Sequence, residues 1–91
     1  MAKKEEIEKI KEEIVFLMDS VLEDPTVPRN IKNSIEEAKK KIENYKDVTN
    51  ISMAIYMLDD LNNDPNMPSH TRTELWKVIS RLEELKEKIK K

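Results

Sequence analysis

Any catalysis by this chain would have to start from its single histidine. His70 stands between Ser69 and Thr71, with Asp64 ahead of it and Glu74 one helical turn beyond. A histidine base needs an acid to hold its ring, and either carboxylate could serve; with Ser69 as nucleophile the set would be a serine hydrolase. The spacing argues against that chemistry. Ser69 adjoins His70, and the chain contains no glycine from which a glycine-rich oxyanion loop could be built. Asp59, Asp60 and Asp64 form the compact acidic group, and His70 with Glu74 supplies the His-Glu pair at i, i+4. Neither has EF-hand or full zinc-site spacing. A small metal-dependent hydrolase around Asp64, His70 and Glu74 is thus an alternative that requires those groups to converge. No catalytic, cofactor-binding or metal-ligating residue is assigned.

Two other groups of side chains could recognise a partner. Lys39, Lys40 and Lys41, with Lys46, make the main basic run, which Arg29 and Lys32 extend. Consecutive lysines fan out around a helix, and Glu36, Glu37 and Glu43 dilute them. A nucleic-acid-associated accessory protein using Arg29, Lys32, Lys39 and Arg72 is the second alternative. Phe16, Tyr56 and Trp76 carry more interest. Phe16 and Tyr56 flank their apolar stripes in the same phase, and Trp76 follows the inward-facing Leu75. Such residues either seal helix against helix or form an exposed aromatic patch that recruits a protein.

The elements that must position these groups are helices. The chain has 91 residues, 37% hydrophobic and 40% charged, a balance that suits amphipathic helices better than a thick core. Net charge is -2 with the signs interspersed, so no basic or acidic tail selects a partner. Cysteine is absent, which excludes disulfides and thiol chemistry. The charged segment Met1-Ala2-Lys3-Lys4-Glu5-Glu6 leads into no apolar signal region, and the longest apolar run, Ile14 to Met18, is far too short to span a membrane. The expectation is one all-helical cytoplasmic domain over 1–91, with no membrane contact and no evident small-molecule substrate.

Apolar spacing predicts four helices. The first runs from about Lys3 to Leu22 on a stripe of Ile7, Ile10, Ile14, Leu17 and Val21, widened by Val15, Met18 and Leu22. The second covers about Arg29 to Tyr45, with Ile31, Ile35, Ala38, Ile42 and Tyr45 inward. The third covers about Asn50 to Leu61, with Ile51, Ala54, Ile55, Leu58 and Leu61 inward. The fourth covers about Ser69 to Lys90, with Leu75, Val78, Ile79, Leu82, Leu85 and Ile89 inward. A short link at about Lys46 to Thr49 makes the middle helices antiparallel neighbours, with Asp47 or Thr49 as a cap.

Asp24-Pro25-Thr26-Val27-Pro28 returns forty residues later as Asp64-Pro65-Asn66-Met67-Pro68. Each proline lacks an N–H and keeps the residue before it out of the α region, so helices end at or before Asp24 and Asp64. Both aspartates can accept bonds from amides just past the proline, and Pro28 and Pro68 suit helix starts. Val27 and Met67 are expected to plug the end of the core. Apolar positions also align at this offset: Val15 with Ile55, Met18 with Leu58, Ile35 with Leu75, Ile42 with Leu82. The expected architecture is four antiparallel helices in two hairpins, about 3–46 and 47–91, related by an internal repeat of about forty residues. They would cover each other and leave one flank open.

The segment Val21-Leu22-Glu23-Asp24-Pro25-Thr26-Val27-Pro28-Arg29-Asn30-Ile31 resembles the archaeal family UPF0147. So do Ala54-Ile55-Tyr56-Met57-Leu58-Asp59, Asn63-Asp64-Pro65-Asn66-Met67-Pro68 and Trp76. The resemblance covers most of the chain. It implies a small all-helical protein in an archaeal cytoplasm, with no catalytic or binding residue to carry over. At the level of fold, Asp24-Pro25 followed by Val27-Pro28-Arg29 is similar to the Asp/Pro turn of HEAT repeats, with a second proline inserted. The leading expectation is a non-enzymatic protein-interaction module that binds another protein or a second copy, possible as a dimer.

Overall fold

The computed structural model describes residues 2–44 and 48–90. They form four α-helices: α1 (Ala2–Leu22), α2 (Arg29–Glu43), α3 (Val48–Leu61) and α4 (Ser69–Lys90). The all-α fold expected from the apolar spacing is present. Two boundaries differ. α3 begins at Val48, which puts Thr49 inside the helix instead of at its cap. α2 ends at Glu43, where the Asn44 amide bonds back to Lys40. Tyr45, Lys46 and Asp47, including the proposed Asp47 cap, lie outside the described residues.

Both proline corners close as expected. The Val27 amide donates to the Asp24 carbonyl at 3.2 Å, a β-turn with Pro25 in the position its fixed φ favours. The Thr26 amide donates to Asp24 Oδ1 at 2.9 Å, and the Pro28 carbonyl accepts the first bond of α2 from Lys32. The second corner has the same bonds: Met67 to the Asp64 carbonyl at 3.1 Å, Asn66 to Asp64 Oδ1 at 2.8 Å, Arg72 to Pro68. No described residue has positive φ, so the corners need no glycine. Val27 and Met67 are buried at the two corners, as plugs of the core.

Ile14, Met18, Ile31, Ile35, Ile42, Ile51, Leu58, Leu75, Leu82 and Leu85 are fully buried in one core. Burial of each stabilises the fold by about 1.5–3 kcal/mol. The inward line of α1 differs from expectation. Met18 is fully buried while Leu17 is only partly covered, so the helix faces its core through Ile14, Met18 and Val21. In α3, Ile55 and Leu61 likewise sit at the edge, and Ile51, Ala54 and Leu58 face in.

Each helix packs on its sequence neighbour, and α4 returns to pack on α1. Among the described residues no Cα of α1 lies within 8 Å of α3, nor of α2 within 8 Å of α4. The four helices therefore close a ring around the core. Stacked solenoid hairpins would instead set α1 on α3 and α2 on α4 and leave a flank open. The bundle measures 41 × 20 × 19 Å, a square section two helices wide in each direction. Up-down order places both proline corners at one end. Lys88 reaches Glu6 at 2.7 Å toward the other end, and Arg81 meets Glu13 at 3.4 Å between, which fixes α1 and α4 as antiparallel.

Candidate interaction surface

Helix geometry decides where the aromatics point. Successive side chains turn by about 100°, so a residue two positions from buried neighbours on both sides faces away from the core. Phe16 lies midway between Ile14 and Met18, and Tyr56 midway between Ala54 and Leu58. Trp76 lies two positions before Val78. The structure leaves them 74%, 75% and 61% exposed. The helix-sealing placement considered for them is overturned: all three rings face solvent. They looked like flank residues because the stripe of α1 was centred on Leu17. Moving its centre to Met18 moves Phe16 to the outer crest.

A groove of about 700 Å³ runs between α1 and α4. Phe16, Leu17 and Trp76 line its apolar part, and Glu13, Lys77 and Arg81 its charged part. On the other side of Trp76 a cavity of about 450 Å³ lies between α3 and α4, with Ile55, Tyr56 and Ile79 on its walls. Beyond Phe16, a third hollow of about 390 Å³ carries Val15 and the carboxylates of Glu8, Glu12, Asp19 and Glu43. Phe16, Trp76 and Tyr56 thus stand on three helices in the order α1, α4, α3, with one groove between Phe16 and Trp76 and another between Trp76 and Tyr56. The charged rim is tied within the chain: Arg81 to Glu13 and, at 2.9 Å, to Glu84; Lys77 to Glu74 at 3.7 Å.

The histidine has a different acid from those expected. His70 Nε2 lies 2.7 Å from Asp24 Oδ2 and 3.3 Å from Thr26 Oγ1, joining the start of α4 to the first corner. Thr26 also donates its hydroxyl to Asp24 Oδ1 at 2.7 Å. These bonds hold the Asp24 carboxyl down at about 2: the Thr26 hydroxyl contributes most, then the Thr26 amide, then His70. Asp64 accepts the Asn66 amide in its own corner, and Glu74 meets Lys77. The convergence that a hydrolase at Asp64, His70 and Glu74 requires is not among these contacts. No group of three or more His, Cys, Asp or Glu among the described residues is placed to hold a metal ion. No helix of the described chain is long and apolar enough to cross a membrane.

Of the four basic residues considered for nucleic acid, Arg29, Lys32 and Lys39 lie on α2 and Arg72 on α4, helices that do not pack on each other. Lys39 donates to Asp19 on α1, which raises its pKa, and Arg72 Nη2 donates to the Asp64 carbonyl at 3.0 Å. Arg29 and Lys32 lie at the start of α2.

This chain is similar to known proteins in sequence and, for two solved structures, in fold. A UPF0147 protein of Methanocaldococcus jannaschii is 41% identical over 81 residues, covering 87% of each chain. A UPF0147 protein of Pyrococcus furiosus is 38% identical with the same coverage. The crystal structure of a protein from uncharacterized family UPF0147 of Thermoplasma acidophilum matches with a TM-score of 0.78 at 36% identity, over 86% of this chain and 94% of that one. A crystal structure of a protein of unknown function matches with a TM-score of 0.75 at 39% identity, over 81% of this chain and 86% of that one. With the family described as "Uncharacterised protein family (UPF0147)" matching residues 1–85, the chain belongs to UPF0147.

Proposed function

We propose that this protein is a non-enzymatic protein-interaction module whose working surface is the strip over α1, α4 and α3 that carries Phe16, Trp76 and Tyr56 in turn. The observation that carries the reading is the exposure of all three rings beside apolar grooves, in a chain with only modest apolar content. Large aromatic side chains exposed on adjoining helices leave much apolar area in water, and interfaces concentrate such residues at their centres.

The bundle that presents them is read as one helical hairpin plan used twice. Matching bonds at the two corners support this. So does burial: residues 23–38 and 63–78 repeat the same order of buried, half-buried and exposed positions, as do 13–18 and 53–58. The packing of α2 on α3 and of α4 on α1 suits two halves related by a two-fold, and on this reading the HEAT likeness is one of the corner and not of stacking.

Photocrosslinking tests the function. Benzoylphenylalanine is placed at Phe16, at Trp76, and at Glu36 as a control on α2, and each protein is irradiated in archaeal extract. Protein adducts are expected from the first two positions and not from the third. Their absence from both aromatic positions would overturn the reading.

A further inference from the structure

We propose that the α1–α4 face binds a second copy of this chain about a two-fold axis that runs along the groove. This rests on reading that face as an interaction surface, and it names the partner. Such an axis sets α1 of each copy against α4 of the other. A two-fold across the helices at the level of Glu13 would set α1 on α1, bringing Glu13 toward its own duplicate.

Charge favours the first arrangement. Glu13 of α1 and Arg81 of α4 are already in contact across one chain, so they stand at one height on the two sides of the groove. Rotation along the groove places Glu13 opposite Arg81 of the second copy, and Arg81 opposite its Glu13. The result is a ring of four charges with alternating sign, complementary because the face is complementary to itself.

The same rotation pairs the aromatics. Phe16 lies three residues past Glu13 along α1, and Trp76 five residues before Arg81 along the antiparallel α4. With a rise of 1.5 Å per residue the two rings differ in height by only about 3 Å. Each Phe16 then meets Trp76 of the other copy, giving two offset ring pairs on either side of the axis. The molecule's 41 × 20 Å extent bounds the face at roughly 800 Å², which is one partner's share of an ordinary stable interface.

The test is sedimentation and light scattering of the whole chain from micromolar to millimolar concentration. Wild type is expected to pass from 10.8 kDa to twice that mass. Glu13→Arg and Arg81→Glu each give four like charges around the axis and are expected to weaken association about a hundredfold. Mixed one to one, the two variants restore opposite signs across the interface, and native mass spectrometry should show the heterodimer recovered. Trp76→Ala should weaken association with no recovery on mixing, and circular dichroism confirms that each variant folds. A wild type that stays monomeric at millimolar concentration, charge variants that dimerise as wild type does, or a mixture that stays monomeric would each overturn the proposal. A monomeric wild type whose crosslinkers at Phe16 and Trp76 capture a different protein removes the second copy and leaves the interaction face standing. No adduct at either position removes both.

Discussion

Asp24 accepts two bonds from Thr26, and His70 reaches it from α4. An ionised carboxylate only accepts, so His70 donates from Nε2 at neutral pH. The folded carboxyl titrates at about 2 against 3.8 for the unconstrained group. A depressed folded value means that the stability from Asp24 is full above the unfolded value and is lost as pH falls through the folded one. The stability difference between wild type and Asp24→Asn should therefore be constant above pH 3.8 and shrink toward zero near pH 2, as followed by acid titration of both proteins. Thr71 makes the opposite case. It is 1% exposed, and its hydroxyl has no hydrogen-bond partner among the described residues, whereas the matching position in the first half is the buried Ile31. Thr71→Val should raise stability by about 1 kcal/mol, read as a higher midpoint in thermal unfolding.

Among the elements, α1 shows how little separates one helix face from its neighbour. Met18→Ala should cost about 3 kcal/mol in urea unfolding because it opens a cavity at the centre of the core, and Leu17→Ala less than half as much. The sequence contains both residues in one apolar run, Ile14 to Met18, and periodicity alone allows a stripe through either. That ambiguity hid the aromatic face. Which of two adjacent apolar residues faces inward is settled by α2 and α4 packing on α1, a long-range contact that local spacing does not encode. The corners were legible for the reverse reason: a proline restricts its own and the preceding backbone whatever surrounds it. His70 and Asp24 were unreadable as a pair because they lie 46 residues apart and meet only when α4 closes on α1.

At the scale of the whole molecule, closure is what the fold depends on. Ile31, Ile35 and Ile42 of α2 are fully buried, and α2 packs on α3 as well as on α1. Residues 1–44 alone would leave much of this apolar surface in water, and a two-helix fragment has too little core to offset its chain entropy. That fragment should lack a cooperative thermal transition by circular dichroism, and adding residues 48–91 in trans should restore one.

The contact between Lys88 and Glu6 brings the opening turn of α1 alongside the closing turns of α4. A short tether could therefore stitch those extremities together, and a fresh cut between α2 and α3 would yield a permuted polypeptide reading α3, α4, α1, α2. Because the circuit of helices has no privileged starting point, such a rewired chain should melt cooperatively and bury the same residues as the parent.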